Sequence, residues 1–334
     1  MTELLARITA GQDLTREQAR TLFDAIMGGQ VAEPLMAALL AALATKGETV
    51  DEITGAAEAM RQVVTPVKGP PDCIDTCGTG GDGISTFNVS TTAALIAAGA
   101  GAHVAKHGNR TNTRASGSAE VLESLGVNLG ASVPVLERCL AEVGIAFLFA
   151  PNLHPAMKFA VPVRKALKIR TIFNLLGPLT NPVGVRRQVL GVNRPELTEP
   201  IARVLVSLGI QRAQVVHGHD GLCDLSITGP SRITEVADGR IATHTLEPES
   251  LALQRAPLTA LLVSSAAESA QAVRDILAGQ AGPRRDHALL NAASALVVAD
   301  VASDKADGLT RAAEAVDTGR AAETLARLVE VSQA

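Results

Sequence analysis

The chain of 334 residues has no tryptophan, no tyrosine and only four cysteines. Those four (Cys73, Cys77, Cys139 and Cys223) are too few for a disulfide scaffold, and their spacing matches no zinc pattern. No apolar run reaches the roughly 18 residues that a membrane helix needs. The first residues are polar, without the apolar core of a signal peptide. We therefore expect a soluble, cytoplasmic protein that contacts no membrane.

The sequence also lacks a strong charge of either sign. Thirty Lys and Arg residues stand against 34 Asp and Glu residues, a net charge of -4. Such a chain has no basic field to attract nucleic acid, so we expect no nucleic-acid partner. Hydrophobic residues make up 47% and charged residues 19%, which is typical of globular proteins. The length favours two domains over one.

Residues 1–66 predict a small helical domain. Thr15 stands three residues before Gln18, and Thr49 three residues before Glu52, the spacing of capping boxes at helix starts. Each of these pairs precedes a segment with helical periodicity. The region contains no segment that predicts a strand.

Residues 67–334 predict a larger α/β domain. Thr65-Pro66 ends the last helix of the first region, and a stretch rich in proline and glycine follows. Strand and helix patterns then alternate, which indicates a mainly parallel central sheet flanked by helices. The segment 154–176 interrupts the alternation with helical, proline-punctuated sequence, and we expect it to join the helical domain. Ligands of such sheets bind at the carboxyl ends of the strands.

A glycine-rich loop, DTCGTGGDGISTFNVST, follows one predicted strand and leads into a helix that begins near Ser90. Free backbone amides and the helix dipole favour an anion there. Asn88, Ser90 and Thr91 add donors where a terminal phosphate would lie. The loop fits neither a Walker motif nor a dinucleotide fingerprint. We interpret it as a site for a phosphorylated sugar; the alternative is an ordinary glycine turn with a helix cap.

The next predicted strand ends in a second polar loop, AKHGNRTNTRASGSAE. Lys106 and Arg110 supply positive charge there, and Asn109 supplies a neutral donor. Two anion-binding loops at successive strand ends fit a ligand with two phosphate groups. The alternative is a solvated basic loop.

Carboxylates follow a later strand in VVHGHDGLCDLSITGP. Asp220 and Asp224 beside a bound diphosphate suggest Mg²⁺, which prefers a few carboxylates together with phosphate oxygens. His217, His219 and Cys223 lack the spacing of a structural zinc site.

Histidine and basic residues also stand among prolines and glycines at His154, Lys158, Arg164 and Arg170. Arg164 could bind a carboxylate through two parallel N–H groups, although helix arginines are usually solvated. A lone histidine such as His154 is more often structural than functional. No nucleophile–base–orienter set is evident, which favours a displacement assisted by electrostatic stabilisation of a good leaving group.

Five motifs together resemble the anthranilate phosphoribosyltransferases, which have the nucleoside phosphorylase-like transferase fold: CGTGGDGISTFNVST, AKHGNR, GSAEVLESLG, HPAMK and RTIFNLLGPLTNP. The resemblance covers essentially the whole chain. It implies transfer of phosphoribose from phosphoribosyl pyrophosphate to the amine of anthranilate, with Mg²⁺, in tryptophan biosynthesis. It also implies a homodimer joined through the helical domain.

The resemblance implies three sets of site residues. Phosphoribosyl pyrophosphate would be bound by Gly78, Thr79, Gly80, Gly81, Asp82, Thr86, Asn88, Ser90, Thr91, Lys106, Asn109 and Thr113. Anthranilate would be bound by Gly78, His107, Asn109, His154, Arg164 and Gly177. Mg²⁺ would be bound by Ser90 and Asp224. No residue is identified as a catalytic acid or base.

Two positions depart from the family pattern. Cys223-Asp224 stands where the family has Asp-Glu, with both carboxylates tied to magnesium, and Cys223 is a poor ligand for a hard cation. Arg114 replaces the second of two paired serines, while Thr113 keeps a hydroxyl. One hypothesis is that Arg114 partly replaces the charge of a lost magnesium.

Several alternatives to anthranilate transfer stay open. The departures could mark a phosphoribosyltransferase with a different aromatic acceptor, or a weakened, non-catalytic relative. A pyrimidine nucleoside phosphorylase would carry a lysine-serine segment that is absent from GISTFN. Relatives that bind nucleic acid depend on a basic groove, whereas this chain is acidic.

Overall fold

The computed structural model describes residues 1–111 and 114–334. Four helices precede the first strand: α1 (Thr2–Thr9), α2 (Arg16–Met27), α3 (Glu33–Lys46) and α4 (Val50–Gln62). The capping boxes predicted at α2 and α4 are confirmed. Thr15 and Gln18 exchange side-chain-to-backbone hydrogen bonds, and so do Thr49 and Glu52.

The rest of the chain alternates strands with helices. The strands are β1 (Ile74–Gly78), β2 (Val104–Gly108), β3 (Ile145–Phe149), β4 (Arg187–Gly191), β5 (Arg212–Gly218), β6 (Ser231–Ala237) and β7 (Arg240–Leu246). The helices are α5 (Val89–Gly99), α6 (Ser118–Ser124), α7 (Val133–Arg138), α8 (Ala150–Leu153), α9 (Val161–Leu167), α10 (Phe173–Leu179), α11 (Thr198–Ser207), α12 (Ala266–Leu277), α13 (Pro283–Val298), α14 (Lys305–Asp317) and α15 (Arg320–Ser332). A π-helical turn, Cys139–Val143, extends α7.

The seven strands form one sheet in the order β3-β2-β1-β4-β5-β6-β7. β1 to β5 are parallel, while β6 and β7 add an antiparallel hairpin at one edge. The predicted class, a small helical domain plus a mainly parallel α/β domain, is confirmed. The hairpin was not predicted. Its two-residue turn, Asp238-Gly239, has φ angles of 49° and 75°, as a type I′ hairpin turn requires.

Two hydrophobic clusters cover the two faces of the sheet. One packs α5 and α12–α15 against β1–β3. The other joins α1–α4 to α9, α10, α11 and the opposite side of β4 and β5. Phe23 of α2 meets Phe173 of α10 edge to face, with ring centroids 5.6 Å apart. This contact agrees with the expected return of the 154–176 segment to the helical region, while the boundary at residue 66 stays a prediction.

None of the helices found in residues 1–111 and 114–334 has both the length and the apolar character that crossing a membrane requires.

Candidate active site

Parallel pairing brings the ends of β1, β2, β4 and β5 to one edge of the sheet, and each of these strands ends in glycine. At Gly191 a Cβ atom would lie 1.6 Å from the carbonyl oxygen of Cys223. At Gly108 it would lie 2.3 Å from the Ser118 hydroxyl. The loops therefore approach the strand ends more closely than any side chain would permit, and the site lies over this edge.

Arg170 contacts the glycine-rich loop after β1. Gly80 and Gly81 have φ angles of +62° and +78°, which L side chains rarely adopt. Arg170 Nη1 donates to the Gly80 carbonyl oxygen over 3.1 Å. A Cβ on Gly81 would lie 1.6 Å from that same nitrogen. The sequence places Arg170 among prolines and glycines, and the predicted site does not include it.

Lys106 projects from β2 toward the start of α5. Its Nζ donates to the Thr76 carbonyl oxygen over 2.6 Å and to the Ser90 hydroxyl over 3.2 Å. The side chain is buried, and burial lowers the pKa of Lys106 while Asp75 opposes the change. Lys106 and Ser90, both predicted for the phosphate side, are thus brought together.

The other predicted donors near α5 are placed differently. The Thr91 hydroxyl donates to the Asn88 side-chain oxygen, so these two side chains engage each other. The Thr86 hydroxyl is buried and has no partner within residues 1–111 and 114–334. Asn109 is exposed at the end of β2. Thr113 lies outside the described residues.

The loop after β5 places Cys223 and Asp224 beneath the glycine-rich loop. A small cavity is lined by Ser90, Cys223 and Asp224 together with Asn291. Burial raises the pKa of the Cys223 thiol to about 11, so the sulfur stays protonated. Burial also raises the pKa of Asp224, and Arg114 opposes that rise more than any other charge.

The donor set at this cavity fits one magnesium ion. Asp224 and the Ser90 hydroxyl offer hard oxygen ligands, and Mg²⁺ commonly takes one or two carboxylates together with substrate phosphates. A neutral thiol at Cys223 is too soft to add a ligand for this metal. In the described part of the chain, no three His, Cys, Asp or Glu residues group as a metal site.

A histidine pair lies on the opposite face of β2. His107 Nδ1 lies 3.0 Å from the Gly177 carbonyl oxygen and must donate to it, which leaves His107 Nε2 as an acceptor. His154 Nε2 lies 3.1 Å from that atom and therefore carries a proton. Burial lowers the pKa of His107 to about 3 and that of His154 to about 4, so both rings are neutral. The predicted residues His107, His154 and Gly177 are brought together.

Arg164 lies on α9, with its guanidinium carbon 5.3 Å from the centre of the Phe173 ring. The side chain is half-buried, and burial lowers its pKa. Arg164 forms no ion pair with any residue in the portion of the chain that the structure describes. An arginine so placed can still bind a carboxylate ligand.

Two buried residues that the sequence did not reveal, Asp75 and Asn181, form hydrogen bonds to β2 between Lys106 and the histidine pair. Asp75 of β1 accepts the His107 backbone N–H over 3.1 Å and the Asn181 side-chain amide over 2.8 Å. Asn181 also donates to the Ala105 carbonyl oxygen over 2.8 Å. Burial raises the pKa of Asp75 to about 6. A charged residue inside an apolar strand was the signal that could have identified Asp75.

Comparison with known proteins agrees with this architecture. The model of the glycosyl transferase family's a/b domain matches residues 70–322, and that of its helical bundle domain matches residues 2–64. An anthranilate phosphoribosyltransferase from Desulfatibacillum aliphaticivorans is 49% identical over 332 residues, which cover 99% of this chain and 98% of the relative. One from Anaeromyxobacter sp. (strain K) is 51% identical over 98% of this chain and 97% of the relative.

Solved structures give the same result. Anthranilate phosphoribosyltransferase from Thermus thermophilus superposes with a TM-score of 0.94 at 40% identity and covers 99% of both chains. The Saccharomyces cerevisiae enzyme in complex with PRPP and Mg superposes with a TM-score of 0.90 at 26% identity, over 99% of this chain and 98% of that one. This chain belongs to the anthranilate phosphoribosyltransferases of the glycosyl transferase family.

Proposed function

We propose that this chain transfers the phosphoribosyl group of phosphoribosyl pyrophosphate to the amine of anthranilate, with release of pyrophosphate, in tryptophan biosynthesis. The observation that carries the proposal is the position of two neighbours on β2. Lys106 faces the glycine-rich loop and Ser90, whereas His107 faces His154 and Gly177. Adjacent residues of a strand point to opposite faces, so a cationic half-site and a neutral half-site meet at one strand end.

The cationic half-site is assigned to phosphoribosyl pyrophosphate. The backbone amides of residues 78–82 and the amino terminus of α5 suit phosphate oxygens. The buried ammonium of Lys106 would bind the pyrophosphate and stabilise the charge that develops as the bond to the anomeric carbon breaks. The buried Thr86 hydroxyl has no partner within residues 1–111 and 114–334, and this supports its assignment to this substrate, because a buried hydroxyl is costly unless a ligand satisfies it. We assign Thr79, Asn88, Thr91, Asn109 and Thr113 to the same substrate on the family resemblance alone.

Mg²⁺ is the proposed cofactor, held by Asp224 and Ser90 together with the substrate. When bound, it supplies positive charge to the leaving pyrophosphate. Lys106 lies beside Ser90 and adds a second positive charge from the protein.

The neutral half-site is assigned to anthranilate. Two uncharged imidazoles suit a flat aromatic ring, and the half-buried Arg164 suits its carboxylate. Because His154 carries its proton on Nε2, its Nδ1 is an acceptor that can orient the amine. Gly177 lies next to the pair with nothing within 4 Å of where its Cβ would be, which leaves room for the ring.

An aromatic amine is a weak nucleophile, so positioning must contribute much of the rate. The amine forms the new bond to the anomeric carbon, the bond to the pyrophosphate oxygen breaks, and the nitrogen then releases a proton. Water must be excluded meanwhile, because it would hydrolyse the same activated sugar. The two half-sites, one on each face of β2, hold the substrates against a common edge.

Three further assignments belong to the proposal. The helical region 1–66, with the 154–176 segment, would form one domain, and residues 67–334 the other. Two copies would associate through the helical region as a homodimer, and the protein would act in the cytoplasm. Size-exclusion chromatography with light scattering tests the dimer, since a monomeric mass would contradict it.

The decisive assay follows anthranilate fluorescence in a mixture of the purified protein, anthranilate, phosphoribosyl pyrophosphate and Mg²⁺. We expect the fluorescence to fall only when both substrates are present. Pyrophosphate release is measured in parallel, first with anthranilate and then with other aromatic amines and acids. Release with another acceptor but not with anthranilate would favour the second candidate, a transferase of different acceptor. No release with any acceptor, from folded protein, would indicate a non-catalytic relative.

A further inference from the structure

One carboxylate at the phosphate side ties three loops together. Arg114, in the loop after β2, donates Nε to Asp82 Oδ1 over 2.6 Å, and its Nη2 contacts the second oxygen. Asp82 lies in the glycine-rich loop, and its Oδ2 also accepts the backbone N–H of Cys223 over 3.3 Å. The Asp82 side chain is completely buried and that of Arg114 is 17% exposed. The guanidinium is therefore fixed at the edge of the proposed diphosphate site.

The oxygen ligands around this guanidinium suffice for one metal ion only. Asp224 and Ser90 share the cavity described above, whereas Cys223 offers only sulfur, which is too soft a ligand for Mg²⁺. Asp82 is engaged by Arg114 and is not available as a ligand. A second hard cation would find no pair of anionic oxygens among these residues.

The two departures from the family pattern act in the same direction. Cysteine at position 223 removes one carboxylate ligand that the resemblance implies for a metal. Arginine at position 114 adds a permanent cation where the resemblance implies a hydroxyl. Together the two changes remove a ligand for a second metal ion and add a positive charge from the protein. Arg114 also keeps donors for a ligand, because Asp82 engages Nε and Nη2, and Nη1 has no partner among residues 1–111 and 114–334.

We propose that Arg114 acts as a built-in second cation of the phosphate site, so that this chain binds phosphoribosyl pyrophosphate with a single divalent ion. The guanidinium, held by Asp82, contacts phosphate oxygens that a second ion would otherwise neutralise. The proposal rests on the proposed function, because it assigns phosphoribosyl pyrophosphate to this site.

The test counts metal ions directly. Native mass spectrometry of the full chain with Mn²⁺ and phosphoribosyl pyrophosphate, without anthranilate, gives the number of Mn²⁺ ions in each substrate complex. The wild type is compared with Arg114→Ser/Cys223→Asp, which restores the family pattern at both positions. Arg114→Lys, which keeps the charge, is the matched control.

We expect one Mn²⁺ in the wild type and in Arg114→Lys, and two in the double variant. Arg114→Ser alone should bind the substrate about tenfold more weakly, the loss of about 1.4 kcal/mol that one charge-assisted contact contributes. Adding Cys223→Asp should restore that affinity as the second ion enters.

Other counts overturn the proposal. Two Mn²⁺ ions in the wild type would mean that Arg114 replaces no cation, and one ion in the double variant would mean that Arg114 only holds the glycine-rich loop. Either result, with substrate bound, leaves the proposed function intact. Absence of any substrate complex in the wild type would refute the proposed function, and this proposal with it.

Discussion

Removal of the Asn181 side chain tests whether the buried Asp75 carboxylate is ionised and held by Asn181. Asn181→Ala deletes a 2.8 Å bond to Asp75, a 2.8 Å bond to the Ala105 carbonyl oxygen and a 2.9 Å bond from the Val183 N–H. A hydrogen bond to a charged group contributes about 1.5–3 kcal/mol, and one between neutral groups about 1 kcal/mol. We therefore expect a loss of about 3.5–5 kcal/mol in the free energy of unfolding when Asp75 is charged.

The loss should depend on pH in a defined direction. The pKa of Asp75 is raised from 3.8 to about 6, so the folded protein binds this proton more tightly than the unfolded chain. A raised carboxyl pKa makes the stability fall as the pH increases from the unfolded value through the folded value. The rise of this pKa from 3.8 to about 6 corresponds to about 3 kcal/mol. Without Asn181 the folded pKa rises further, so Asn181→Ala should cost more at about pH 8 than at about pH 5.

The assay is urea unfolding at both pH values, in the wild-type and Asp75→Asn backgrounds. We expect the pH dependence of the Asn181→Ala loss to vanish in Asp75→Asn. Asn152→Ala is the matched control, because Asn152 donates to Leu129 at an exposed site. It should cost within about 0.5 kcal/mol and show no pH dependence. An equal cost of Asn181→Ala at both pH values would refute the reasoning.

Three more variants test the strand end, the histidine side and the phosphate side. Gly191→Ala should lower the free energy of unfolding by about 1–3 kcal/mol, because its Cβ would lie 1.6 Å from a backbone oxygen of Cys223; wild-type stability in urea would contradict it. Gly177→Ala in α10 meets nothing within 4 Å and should raise stability by up to about 1 kcal/mol, since alanine favours helices. The same substitution should raise the KM for anthranilate, and an unchanged KM would contradict the placement of Gly177. Lys106→Met should weaken binding of phosphoribosyl pyrophosphate about ten- to a hundredfold in calorimetry; an unchanged dissociation constant would argue against its role.

Local patterns predicted the features whose causes are local. The capping boxes at Thr15 and Thr49 need only residues three positions apart, and both formed as predicted. The glycine-rich loop was recognisable because positive φ angles favour glycine, and several glycines stand close together there. The β6–β7 hairpin carried an equally local signal in Asp238-Gly239, which the sequence interpretation passed over.

The partners of buried polar groups could not be predicted in this way. Asp75 on β1 and Asn181 in the segment between α10 and β4 are 106 positions apart, and the pairing of β4 with β1 helps to bring them together. The sequence marked Arg114 as an unusual cation, yet its partner Asp82, 32 positions earlier, follows from how two loops fold over the same sheet edge. The sequence therefore indicated which residues are chemically unusual, but it did not indicate which residues they contact.

The alternation of β2 agrees with the proposal that one strand serves both substrates. Lys106 and His107 are consecutive, so the strand's own backbone separates the cationic side from the neutral side. Reacting atoms cannot meet through that backbone and must meet beyond its end. The next residue is Gly108, where a side chain would collide with Ser118 and Phe147. We therefore expect the new bond to form over the ends of β1 and β2, near Gly78 and Asn109, the two residues that the resemblance assigns to both substrates. A larger residue at position 78 should impair binding of both substrates together, whereas changes at Lys106 or His154 should each affect one.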